Sequence, residues 1–533
     1  MSLRAVSLSA ASVVSVAMAL GCGGAAPPPA PPPAPVVAPA PATSAASAPA
    51  DPLGPRPQAA EQPAFVPPAP VVFAGPNGMT VWLLEHHQAP LVSCDVTVPT
   101  GAAGDPKGKG GTAYAADSML DEGAGKRGAI ELARALDDLG ARLTTDANAD
   151  ASFVSLTVLK THMENAFAIL GDVVARPRFE PAEFKRFKDL WINSLTARAK
   201  DPDATARVVY RVALFGPDHP YGHPWDGTPD SAKGIGLEDV RRIYQAAWRP
   251  DRSTVVCVGD VTQAELEPVL KSAFEGWKAP AEPAPAPVVP PAPKGPWPGL
   301  VLVDRPDAPQ SVIAVLRPGV AASDAAEPAL WRVNDAIGGS FTSRLNQDLR
   351  EEHGYTYGAR SRFSRSRGPG QVVSYANVVT DKTGDALAAM LADLKKFSEG
   401  GMTDDEVART RTQAREDLVG VYQSDEGIAG HLAADASLGL PPDWATQSSR
   451  KRDAATKPEL DALAKQFYGL SDAILVVVGP LARIQPMIDK LGLPAPEIRD
   501  AEGRVIPPAA AGKKAPPAAA PAPPKPASSP QKP

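Results

Sequence analysis

Proline decides where this chain can build a core. It lacks a backbone N–H and fixes its own φ, so alternating Pro and Ala favours extended chain with nothing to bury. The sequence has 61 prolines in 533 residues, and most of the excess falls in three stretches. The first is a Pro/Ala-rich tether over 23–70. The second is a linker over 279–297, and the third a Pro/Ala/Lys tail over 499–533, expected to be disordered. Between them stand two segments, 71–278 and 298–498, each of about two hundred residues and each long enough for a domain.

The two segments read alike. Each opens with apolar strands, "GMTVWLLEHHQAPLVSCDVTVPTG" and "GLVLVDRPDAPQSVIAVLRPGV". Each closes with a buried strand and an amphipathic helix, "STVVCVGDVTQAELEPVLKSAFEGW" and "AILVVVGPLARIQPMIDKLGL". Strand runs rich in Val and Ile alternate with helices whose apolar residues recur every three or four positions. This predicts an internally duplicated α+β unit, with helices packed on a mixed or antiparallel sheet.

The beginning, "MSLRAVSLSAASVVSVAMALGCGG", carries one Arg, a short apolar run and small residues before a cysteine. That pattern predicts a secretion signal over 1–22. Ala19-Leu20-Gly21-Cys22 resembles a bacterial lipobox, with Cys22 as the lipidated residue and the lipid as a membrane anchor. The expected location is the bacterial cell envelope, on the periplasmic face of the outer membrane. An ordinary cleaved signal releasing a soluble protein is the alternative. The other two cysteines, Cys94 and Cys257, lie in strand-like runs. Free buried thiols are the simpler expectation, and a disulfide is expected only if the two strands are neighbours. The formal net charge of −6 and the lack of a basic stripe argue against a nucleic-acid partner.

Several passages carry chemistry or fine structure: "GTAYAADSML" at Gly111–Leu120, "VVARPRFEPAEF", "FGPDHPYGHPWDGT", "VVCVGDVT" and "GGSFTSRLNQDLREEHGYTYGA". In this order and spacing they resemble the insulinase/pitrilysin-type metallopeptidases, the inverted zincins that include the mitochondrial processing peptidase. The resemblance runs from about residue 70 to 498. It implies two homologous peptidase-like domains forming half of a clamshell.

Active members of that family use H-x-x-E-H on a helix. Side chains four apart share a helix face, so two imidazoles meet one zinc, and the Glu polarises the bound water. The matching positions here are Tyr114, Asp117 and Ser118. A neutral phenol and a hydroxyl are poor zinc ligands. The family's later Glu ligand would fall near Asn193 or Ser194, and no Glu occurs between Lys185 and Lys200. None of the seven histidines, His86, His87, His162, His219, His223, His353 and His431, offers a replacement cluster, and each reads as a surface or turn residue. No metal is expected in this chain.

Two other elements of the family pattern are kept. The resemblance assigns Arg350 and Tyr357 to holding the substrate carbonyl and steadying the oxyanion in a partner's site. Taken alone, they also read as a helix-end Arg paired with Glu351 or Glu352 and a Tyr packed in a strand. In "GGSFTSRLNQ", Gly338 and Gly339 allow a tight turn, and Ser340 or Thr342 could cap the next helical turn. The stretch Thr144, Thr145, Asp146, Ala147 and Asn148 matches the family's substrate-pairing edge strand. It reads equally as an ordinary edge guarded by Asp. The implied function is the non-catalytic subunit of a zinc peptidase, with a zinc-bearing paralogue, or a second copy of itself, as partner and extended peptides as ligands. Zinc would reside in the partner. A lipid-anchored peptide clamp without proteolysis is the alternative, and a lone peptidase with altered metal chemistry fits the residues least.

Overall fold

The computed structural model describes residues 65–282 and 288–507. The predicted signal, Cys22, most of the tether and the far end of the tail lie outside the described residues. The first half contributes β1 (Val71–Ala74), β2 (Thr80–Glu85), β3 (Leu91–Val98), the short hairpin β4 (Gly123–Ala124) and β5 (Arg127–Gly128), β6 (Arg142–Ala147), β7 (Ser152–Leu159) and β8 (Thr254–Gly259). The second contributes β9 (Leu300–Asp304), β10 (Gln310–Pro318), β11 (Thr356–Phe363), β12 (Gln371–Val379), β13 (Ile474–Gly479) and β14 (Glu497–Arg499).

They assemble into two six-stranded sheets, ordered β1-β2-β8-β3-β7-β6 and β14-β9-β13-β10-β12-β11. The last five strands of each order correspond one to one. β2 runs parallel to β8 as β9 does to β13, and the pairs beyond are antiparallel. The architecture is therefore the mixed-sheet α+β duplication that the sequence predicts. β6 and β11 are the equivalent open edges.

The central strands are near-continuous runs of Val, Leu and Ile because both faces are covered. One face of each sheet packs on helices of its own half. The other receives a helix from the opposite half. We label five helices: α1 (Thr112–Ser118), α2 (Pro181–Arg198), α3 (Pro202–Phe215), α4 (Leu237–Ala247) and α5 (Asp425–Ser437). Ala206, Val209, Tyr210, Ala213 and Leu214 of α3 lie on Val301, Val303, Val312, Val476 and Val478 of the second sheet. Ile428, Ala429, Leu432 and Ala433 of α5 cover Trp82, Leu84, Val256 and Val258 of the first. Each fully buried large side chain contributes roughly 1.5–3 kcal/mol, so the exchange binds the halves firmly.

Cys94 on β3 and Cys257 on β8 are direct register partners with Cα atoms 4.2 Å apart, and they form a disulfide. Free thiols were the simpler expectation. Neighbouring strands overturn it.

Ordered structure also reaches further than the proline pattern predicts. In the linker, Trp297 donates its indole N–H to Leu214 O at 3.1 Å, and His219 hydrogen-bonds Pro290 O at 3.2 Å. Phe65 packs edge-on against Tyr422, and Thr446 donates to Pro67 O, so the end of the tether is seated too. β14 continues past 498, and a turn over Asp500–Arg504 carries the ordered chain to Pro507. Proline excludes a core but not a surface seat. No described helix is long and apolar enough to cross a membrane.

Candidate functional site

α1 carries the three motif positions and packs between β6 and α4. Its start is fixed by Gly111, whose φ of +95° is left-handed and where a Cβ would lie 2.7 Å from Trp191. Asp105 accepts the Gly111 and Ala113 N–H groups at 2.6 and 2.8 Å, meeting donors that a helix start leaves unpaired. Burial holds the Asp105 carboxyl above its ordinary range, opposed by His223, which also bonds Ala102 O at 3.1 Å. His223 is thus part of the scaffold that seats α1.

Tyr114 sits in an aromatic cluster, 5.4 Å from Trp225, 5.7 Å from Trp191 and 6.1 Å from Phe187 between ring centres. Burial pushes its phenol up, which keeps it neutral. The residues of α2 facing the motif are therefore Phe187 and Trp191. The expected positions, Asn193 and Ser194, are exposed on the far side. Asp117 is buried. It accepts the Trp248 indole N–H at 2.9 Å, while its second oxygen has no hydrogen-bond partner. Burial pushes its pKa well above the ordinary carboxylate value, with hydrogen bonding to Ser152 and Trp248 opposing, so its surroundings disfavour the charge that a base or metal ligand needs. Ser118 is half-buried at the helix end.

Zinc does not fit this set. The first ligand position is occupied by a packed ring, the base position by a buried carboxyl held by Trp248, and the later position by stacked aromatics. Among the described residues no group of three or more His, Cys, Asp or Glu is placed to hold a metal ion. The histidines are engaged elsewhere. His86 contacts Asp425 at 2.5 Å and His87 contacts Asp260 at 2.7 Å. His431 departs from the surface-or-turn expectation, being half-buried on α5, while His219 keeps to it: its C=O closes a turn with the Gly222 N–H at 2.8 Å, and its ring is buried on Phe215. Burial pushes both below the usual imidazole value.

β6 lies at the open edge of its sheet and pairs only with β7. Thr144, Thr145, Asp146 and Ala147 belong to it. Asn148 does not: its N–H bonds Ala151 O and its C=O accepts from Ala102, so neither is free for a new strand. Its side-chain oxygen accepts the Asp150 and Ala151 amides, closing a turn. Asp146 folds its carboxylate back onto the Ala147 N–H at 2.9 Å, shielding part of the edge.

Arg350 and Tyr357 occupy the equivalent edge of the second sheet. Arg350 lies in a π-helical turn, Gln347–Glu352, with its guanidinium 4.7 Å over the Phe341 ring and an ion pair to Glu351 at 3.4 Å. Tyr357 is not packed. It sits at a register irregularity of β11 between Thr356 and Ala359 and is 89% exposed. Upstream, Gly338 permits a close approach to the Ser361 N–H, where a Cβ would come within 2.4 Å. Ser340 and Thr342 do not cap the following turn, because both hydroxyls accept from Arg409 at 3.1 Å. No hydrogen bond, ion pair or ring contact among the described residues joins Arg350 or Tyr357 to Tyr114, Asp117 or Ser118.

Comparison with known proteins agrees with this geometry. Residues 80–210 match the family described as "Insulinase (Peptidase family M16)", and residues 234–414 match "Peptidase M16 inactive domain". An uncharacterized zinc protease of Streptomyces coelicolor is 24% identical over 374 residues, covering 70% of this chain and 81% of its own. A non-peptidase homolog of Helicobacter pylori is 23% identical over 402 residues, covering 74% and 90%. Among solved structures, a peptidase M16 inactive domain from Pseudomonas fluorescens superposes with a TM-score of 0.71 at 22% identity, covering 77% of this chain and 98% of that one. The periplasmic protease PqqL of Escherichia coli matches with a TM-score of 0.62 at 16% identity, over 81% of this chain but only 50% of its own. With two family matches in tandem and the fold of both halves shared, this chain belongs to the insulinase (M16) peptidase family, as a member whose zinc motif has degenerated.

Proposed function

We propose that this chain is the non-catalytic subunit of a two-chain zinc peptidase in the bacterial envelope, anchored through Cys22. It lends Arg350 and Tyr357 to the site of a zinc-bearing paralogue. The observation that carries the reading is an asymmetry. The motif helix is packed shut by Tyr114, Phe187, Trp191 and Trp225, yet Tyr357 projects 89% exposed from an open edge beside Arg350. A guanidinium and a phenol O–H are preorganised donors for a developing oxyanion. That PqqL is about twice as long as the part matched supports a clamshell completed by a second chain. The Cys94–Cys257 disulfide suits an oxidising compartment.

The test is co-purification with a zinc-bearing paralogue, followed by a chelator-sensitive cleavage assay. Cleavage should need both chains and fall by about 10²–10³ in Arg350→Ala or Tyr357→Phe. If cleavage is indifferent to both, the Arg/Tyr assignment fails. The open β6 edge favours a second reading, a peptide clamp without proteolysis. Peptide binding by this chain alone, unaffected by chelator and with no paralogue retained, would select it.

A further inference from the structure

Arg211 is a charged group without a contact partner among the described residues, although Asp226 and Asp150 act on its charge from a distance. It lies on α3, away from the face that Val209, Tyr210, Ala213 and Leu214 bury on the second sheet. Its guanidinium makes no hydrogen bond or ion pair with any described residue. It lines a cavity of about 210 Å³ together with Asn148, Asp150, Tyr221, Trp225 and Gln371. Burial lowers its pKa, and the nearby Asp226 and Asp150 only partly offset this. A half-buried cation without a contact partner loses hydration that carboxylates at a distance restore only in part.

Every other charge at this cavity is taken. Asp150 accepts the Tyr221 hydroxyl at 2.5 Å and the Arg367 amide at 3.0 Å. Arg365 is paired with Glu327 and Asp435 at 3.0 and 2.8 Å. Asp226 is held by Arg198. Two further lining atoms lack a hydrogen-bond partner among the described residues: Nε of Arg365, whose guanidinium is nonetheless ion-paired, and the buried amide oxygen of Gln371. Turned over, that amide presents its NH₂ as a donor. The cavity thus offers a fork-shaped cation and a second potential donor. Among the described residues one cation without a contact partner lines this cavity, and the Asp150 carboxyl beside it suits the site to a monoanion and disfavours a dianion such as phosphate.

Its position says what brings the anion. The cavity lies next to the end of β6, since Asn148 and Asp150, which line it, form the turn leaving that edge. Resting on the reading of β6 as a peptide-capturing edge, we infer that Arg211 is a carboxylate-binding subsite. It selects extended peptides whose C-terminal carboxylate, or an Asp or Glu side chain, passes the end of β6. Arg–carboxylate pairing is two-pronged and charge-assisted, hence strong once partly desolvated.

The experiment is titration calorimetry on the full chain at low salt. The probes are a short N-acetylated peptide of Ala, Ser and Thr with a free C-terminus, its C-terminal amide, the amide carrying one internal Glu, and a backbone N-methylated form of the first. A charged probe should bind about tenfold or more tighter than the plain amide. Arg211→Gln should erase that difference without lowering the melting temperature. Which charged probe gains affinity tells the terminus from the side chain. Equal affinity for charged and neutral probes, or a preference surviving Arg211→Gln, overturns the subsite. If the plain amide binds and N-methylation alone abolishes binding, the edge reading stands and the subsite falls. If charge matters and N-methylation does not, the subsite stands without the edge. Failure of every probe to bind sinks both.

Discussion

Two buried aspartates tie the stability of this molecule to pH, and one of them stands in the degenerate motif. Asp117 stands where a catalytic Glu would ionise, and it is sealed beneath Trp248, where burial disfavours its charged form. A carboxyl whose pKa rises on folding contributes stability at low pH and loses it as pH climbs through the folded value. Asp117→Asn should therefore flatten the alkaline side of the stability–pH curve and leave the acid side unchanged, as thermal melts across pH would show. Asp95 makes the same argument with a number. Burial pushes it to about 6, Glu426 adding to the rise and the Ser155 hydroxyl opposing it. Asp95→Asn should raise stability by up to about 3 kcal/mol above pH 7 and change little below pH ~4. A melting temperature that shifts equally at both ends would show that Asp95 is not the titrating group.

At the scale of elements, the two edge strands repay comparison. Tyr357→Ala removes an exposed ring, so stability should stay within about 0.5 kcal/mol in denaturant unfolding even where activity with a partner collapses. Tyr114→Ala should cost roughly 3–5 kcal/mol, because it opens a hole among Trp191, Phe187 and Trp225. The strands were legible because near-continuous Val/Ile runs bounded by turn residues are local properties, and so was the loss of ligands on α1. The helix face opposite α1 was misplaced by a few residues. The signal was present in Phe184, Phe187, Trp191 and Leu195, spaced three and four apart, which mark the inward stripe of α2 and leave Asn193 and Ser194 outside. Asn148 was misread because its amide and carbonyl are used by residues near 102 and 151, pairings no local pattern encodes. Arg211 was invisible for a similar reason, since lacking a partner is a property of the tertiary structure alone.

The whole molecule is held by its exchanged helices, a feature that two look-alike segments do not announce. If α3 and α5 bind the halves as their buried faces imply, a protease site inserted between Glu282 and Val288 should yield two fragments that remain one species by size exclusion. Separation without denaturant would show the interface to be weak. The same exchange sets an order in time. A chain emerging N-terminus first completes its first sheet at Gly259, but Trp82, Leu84, Val256 and Val258 stay uncovered until α5 arrives, more than 160 residues later. For that interval the nascent protein displays a sticky apolar face. Synthesis of this chain therefore calls for a holding chaperone until α5 has emerged.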